Sequence, residues 1–200
     1  MDLVTLGRTL GFSFAAGVNL YATVAILGLC ARYGWVDLPP QFQVFDNPFI
    51  IAAAVVLYLV EFVADKIPYF DTLWDMIHTA IRPLGGALIA VATLGDASPG
   101  VEGLIALLGG TVAAGSHLTK TSTRAVANTS PEPASNWALS VSEDAFVVGL
   151  AYLALAYPVA ALIVTGVLLV LIVIFAAVIV RTVRRWFSRR RVTRRELRSG

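Results

Sequence analysis

Glu61 and Asp65 stand four residues apart, and Asp71, Asp75, His78 and Arg82 follow at three- and four-residue spacing. On a helix, that spacing places each set on one face. Lys66 lies between the two sets. His117, Lys120 and Arg124 repeat the spacing further on, and Glu143 and Asp144 adjoin each other. Carboxylates in such number can hold a cation or pass a proton. Histidines titrate near neutral pH or ligate a metal. The bases can pair with the acids or meet an anion. Asn128, Glu132 and Asn136 add hydrogen-bonding groups, and Asn19 is an amide inside an apolar run.

The elements that carry these groups are apolar. The chain has 200 residues, of which 58% are hydrophobic and 14% charged, and its mean hydropathy is +0.78. A soluble domain carries about 25% charged residues, so this composition points to lipid. From Arg181 onward there are nine Arg and one Glu, while the rest of the chain holds six basic and twelve acidic residues. A basic tail directly after a long apolar helix is expected on the cytoplasmic membrane surface, in contact with lipid. No nucleic-acid module accompanies it. The single cysteine, Cys30, excludes an internal disulfide.

A helix needs about 20 apolar residues to cross a bilayer. Residues 9–31 and 158–180 qualify plainly, and shorter runs lie at 47–60, 83–95, 103–119 and 145–157. The expectation is an all-α membrane protein with six transmembrane helices. With the tail inside, counting back places both termini in the cytoplasm of a bacterial inner membrane. The loops at 32–47 and 96–102 then lie outside, and all the intruding charges lie toward the cytoplasm. Ionisable groups in hydrocarbon are costly unless they face a polar interior. They are therefore expected to line a vestibule open to the cytoplasm.

Two stretches resemble each other. AAGVNLYAT at 15–23 returns as AAGSHLTKT at 113–121, and residues 6–23 match 104–121 at eight of eighteen positions. Asn19 corresponds to His117. This suggests two inverted three-helix repeats, 1–96 and 97–180, followed by the tail at 181–200. Gly7, Gly11 and Ala15 form a small-residue ridge, as do Gly110 and Ala114, so the two copies are expected to cross closely. Pro83 with Gly85-Gly86, and Pro131 with Pro133, suggest broken or re-entrant segments near 67–86 and 120–136.

The motifs AAGVNLYAT, EFVADKIPYFD and RAVANTSPEPASNWALSVSED together resemble an uncharacterised bacterial inner-membrane family, known as a domain of unknown function. The resemblance covers residues 1–180. It implies a multi-pass membrane protein and brings no activity, substrate or catalytic residue.

The first functional expectation is a transporter or channel for an ion or small polar solute. Its lining would be Asn19, Glu61, Asp65, Lys66, Asp71, Asp75, His78, Arg82, His117, Lys120, Arg124, Asn128, Glu132, Asn136, Glu143 and Asp144. The excess of acids favours a cation. No cofactor is implied, the metal question stays open, and a homo-oligomer is one way to enclose a pore. The alternatives are a lipid-handling protein or enzyme, or a non-transporting subunit of a membrane complex. The chain has no HExxH, no GxSxG and no Cys/His pair, so no catalytic residue is assigned. A water-filled cavity reaching Asn19 and His117 favours transport. A cavity open sideways to lipid favours the second reading, and a vestibule plugged by salt bridges the third.

Overall fold

The computed structural model describes residues 1–129 and 133–199, and the side chains of Pro68, Pro133, Thr182, Val183 and residues 185–199 are outside that description. Its elements are α1 (Leu3–Val18), α2 (Leu20–Tyr33), a 3-10 helix (Pro40–Phe45), α3 (Pro48–Ala64), α4 (Pro68–Leu94), α5 (Pro99–Ala127), α6 (Pro133–Ala156) and α7 (Pro158–Ser199). No strand occurs among the described residues. Proline opens the last five helices. Its fixed φ suits the first helical position, and its missing N–H has no partner there anyway. Asn47 caps α3, its Oδ1 accepting from the Phe49 and Ile50 N–H groups at 2.9 and 3.3 Å. Gly34, at φ 60°, closes α2 in the left-handed region.

Among the described residues, four helical stretches are long and apolar enough to cross a membrane: Tyr69–Leu94, Pro99–Ala127, Ala134–Ala156 and Pro158–Arg181. α3 is apolar but shorter, at 17 residues. The first apolar run is not one span. It breaks at Asn19, whose backbone is extended at φ −148°, ψ 99°.

The chain folds back at that point. Phe12 of α1 packs edge-on against Phe42, with ring centroids 6.0 Å apart. Phe42 in turn packs against Phe45 at 6.2 Å, and Gly28 of α2 abuts the Phe45 carbonyl. On a straight helix, Phe12 and Gly28 would be about 24 Å apart. Instead Phe12, Leu27, Cys30, Phe42 and Phe45 share one apolar cluster. α1 and α2 therefore form a helical hairpin with Asn19 at its tip.

Contacts between neighbours fix the directions. Ser13 Oγ donates to the Gly86 carbonyl at 3.2 Å, and Arg82 donates to the Gly17 carbonyl at 3.1 Å, so α1 runs antiparallel to α4. A Cβ on Gly109 would meet Ser13, and one on Gly17 would overlap Ala113 and Ser116. α1 and α5 are thus parallel. The two similar stretches are not related by inversion, and the six-helix inverted arrangement is corrected. Gly7 abuts the Pro158 carbonyl at the start of α7. α7 leads from there to the opposite end of the bundle, so the two termini lie at opposite ends and not together.

Of the other expected breaks, the one at Pro83 is corrected, because α4 continues through it. In the segment near 120–136, α5 ends at Ala127, the chain turns at 128–129 and α6 opens at Pro133, with residues 130–132 outside the described residues. Gly85 and Gly86 serve packing: a Cβ on Gly86 would overlap Ala113, and one on Gly85 would press on Leu20. The expected ridge also divides its contacts. Gly7 and Gly11 face Pro158, Ala154 and Ala161, while Gly17 makes the close approach to α5.

Candidate functional site

The hairpin tip exposes two helix ends to the interior. The last carbonyls of α1 and the first N–H groups of α2 lack helical partners. Some gain other partners. Arg82 Nη1 donates to Gly17 O, while Ser116 Oγ adds a 2.9 Å bond to Phe14 O, one turn inside α1. Asn19 Oδ1 accepts from Ala22 N at 2.9 Å and caps α2. Asn19 Nδ2 donates to Asp144 Oδ1 at 3.2 Å. A cation thus stands at the negative end of α1 and a carboxylate beside the positive end of α2, the favourable sign at each helix dipole. Ser13 is level with Gly86, so the tip lies about midway along α4.

Arg82, fully buried, is the first hub. Its Nη2 reaches Glu61 at 2.8 Å and Asp75 at 3.4 Å. Its Nη1 donates to His117 Nδ1 at 3.0 Å. An arginine only donates, so His117 accepts at Nδ1 and carries its hydrogen on Nε2, 3.2 Å from Thr79 Oγ1. His78 sits the other way round. Its Nδ1 faces the Trp74 carbonyl at 2.7 Å and must carry the hydrogen, which leaves Nε2 to accept from Tyr21 at 2.8 Å.

Lys120 is the second hub, with Asp65 at 3.0 Å, Glu61 at 3.2 Å and Glu143 at 3.4 Å. Arg124 is the third. It pairs with Glu143 at 2.7 Å and Asp65 at 3.1 Å, and stands 3.9 Å from Asp71. It also donates to the carbonyls of Asp65 at 2.7 Å and Asn136 at 3.5 Å. Asn128 donates to Asp71 at 3.0 Å.

Lys66 stands apart in the turn between α3 and α4. It has no carboxylate within ion-pair distance among the described residues. Its ammonium lies 3.0 Å above the Phe62 ring centroid and donates to Phe62 O and to Ser140. Burial there pulls its pKa below the ordinary lysine value, with Asp144 and Asp65 opposing.

The sequence-selected residues thus come together, with one exception: Glu132 lies outside the described residues. Their setting differs from an open vestibule. Glu61, Arg82 and His117 are 0% exposed and Arg124 is 1% exposed. A buried charge is tolerated when it is paired and hydrogen-bonded. Interlocking the three bases with the acids closes the space that water would fill. Several acceptor oxygens nevertheless remain buried without a hydrogen-bond donor: Glu61 Oε2, Asp65 Oδ1 and Asp144 Oδ2. Among the described residues, no three His, Cys, Asp or Glu side chains converge as a metal site.

Besides a cavity of about 280 Å³ that reaches Lys120 and Glu143, two more lie beside the network. One of about 720 Å³ opens sideways between α3 and α4 and is lined by apolar residues such as Val60, Ala64, Phe70 and Ile77. It contains neither histidine and no carboxylate, so it brings no chemistry to a lipid headgroup. The other, of about 340 Å³, lies between α4 and α5 and reaches Asp71, Asp75, Thr79 and Arg124. Sequence reasoning missed the hydroxyl partners Tyr21, Thr79 and Ser116, because such residues are common on any helix.

This is an all-helical, membrane-type protein with a buried ionic network around a helical hairpin. The chain belongs to the family described as a domain of unknown function, DUF4126, which matches residues 6–178. No curated protein matches it, and no solved structure does.

Proposed function

We propose that this protein is a small carrier or channel of the bacterial inner membrane for an ion or small polar solute, with a cation favoured. The supporting observation is the hairpin tip at Asn19, set midway along α4 among buried charges. Broken helices of this kind place backbone dipole ends where a solute can meet them, and ionisable groups at such depth are otherwise costly. Six acids gather here against Lys66, Arg82, Lys120 and Arg124. The acid excess and the unpartnered carboxylate oxygens favour a proton or cation. The interlocked network is then the closed gate, and conduction requires some of its pairs to exchange partners. The basic tail supports a cytoplasmic position for the network end of the bundle.

Flux into proteoliposomes, measured over a panel of cations and anions, tests this. A cation flux that falls at least tenfold in Asp144→Asn and in Glu61→Gln supports the proposal. Folded protein that moves no ion or solute, or flux unchanged in both variants, overturns it.

The interlocking of Arg82, Lys120 and Arg124 with the acids favours a second reading, a non-transporting subunit held rigid by its salt bridges. That reading expects the same variants to lower stability while no flux exists to change.

A further inference from the structure

The cavity between α4 and α5 combines polar lining with an imbalance of donors and acceptors. Its volume of about 340 Å³ would hold on the order of ten waters at ~30 Å³ each. Asp71 and Asp75 form one wall, four residues apart on α4, and are 1% and 4% exposed. Neither Asp71 Oδ1 nor Asp75 Oδ1 has a hydrogen-bond donor. Their nearest cations, Arg124 and Arg82, stand at 3.9 and 3.4 Å in ion-pair contact only.

The donors around the cavity are already engaged. All three nitrogens of the Arg124 head donate to Glu143, Asp65 or the Asn136 carbonyl. Asn128 Nδ2 donates to Asp71 Oδ2 and Thr72. The hydroxyls have turned their hydrogens inward as well. Thr79 donates to Asp75 O, and Thr121 and Ser122 both donate to Leu118 O. A hydroxyl has one hydrogen and two lone pairs, so the oxygens of these groups on the cavity wall are left as acceptors. A ligand here must therefore bring the hydrogens and a positive charge.

We propose that this cavity binds a small cation rich in N–H donors, a protonated primary amine or a guanidinium. The inference rests on the cation reading above and names the class of solute. A bare metal ion fits less well, because no three metal-ligating side chains converge among the described residues. Thr79 connects the cavity to the hairpin. It is hydrogen-bonded to His117, which takes a hydrogen bond from Arg82, which in turn holds the Gly17 carbonyl. A cation bound at Asp75 competes for the acid that Arg82 contacts, and so bears on the tip.

Titration calorimetry on the full chain in nanodiscs, with methylammonium and guanidinium as probes, tests the site. Tetramethylammonium has the charge without the N–H groups and serves as control. The expected result is saturable methylammonium binding, displaced by guanidinium, and at least tenfold weaker for tetramethylammonium. Asp75→Asn should weaken binding at least tenfold. Ala125→Trp, at an exposed position lining the cavity, fills it while leaving every charged group in place, so it should remove binding in folded protein. Absent binding by folded protein, equal binding of tetramethylammonium, or undiminished binding in Ala125→Trp overturns the inference. Binding without flux leaves this site standing and removes the carrier. Flux without binding keeps the carrier and removes this site.

Discussion

Arg82 joins four groups from four elements: Glu61 of α3, Asp75 of its own helix, His117 of α5 and the Gly17 carbonyl of α1, with Thr79 one step beyond. Removing one partner from a buried ionic cluster leaves an uncompensated charge, which costs about 3–5 kcal/mol. Arg82→Met is therefore expected to lower stability by that amount in detergent unfolding. Arg82→Lys keeps the charge but loses the fork, and should fall between. A methionine variant as stable as the parent would show that the cluster is not held by its charges. Gly17 tests a steric contact instead. A Cβ there would overlap the Ala113 carbonyl, which backbone packing holds in place. Gly17→Ala should cost about 1–3 kcal/mol through overpacking. Gly100→Ala, with open space around it, is the control. Equal effects of the two would contradict the close approach of α1 and α5.

At the scale of elements, the hairpin is held by its tip. Asn19 both caps α2 and ties it to Asp144. Loss of a capping side chain costs about 1 kcal/mol, and loss of the hydrogen bond to a charged group about 1.5–3 kcal/mol. Asn19→Ala is expected to lose both contributions, whereas Asn19→Ser retains a cap and should lose less. Hydrogen exchange at Leu20–Ala22 should rise in the alanine variant while exchange in the middle of α5 stays slow. Exchange unchanged at the tip would mean that Asn19 does not hold the break.

At the scale of the whole molecule, fold-back of α1 and α2 places the termini at opposite ends. An epitope before Met1 and another after Gly200 should be accessible from opposite faces of a sealed vesicle. Accessibility from one face alone would restore a straight first span and remove the hairpin.

Much of this was legible in the chain. Pro48, Pro68, Pro99, Pro133 and Pro158 mark where helices begin, because proline's geometry favours that position whatever surrounds it. The spacing of Glu61, Asp65, Asp71, Asp75, His117, Lys120 and Arg124 placed them on shared faces, and lipid composition required those faces to meet. Only tertiary structure decided where the backbone breaks. AAGVNLYAT contains neither proline nor any strong local stop, whereas Pro83 and Gly85-Gly86 do signal one. Yet α4 is continuous, because its glycines let α5 pack closely along it. The break falls at Asn19, because a carbonyl it frees, that of Gly17, finds a donor on Arg82, far away in sequence. Local propensity sets which residues prefer a helix. Which unpaired backbone groups can be buried depends on partners that only the folded chain brings within reach.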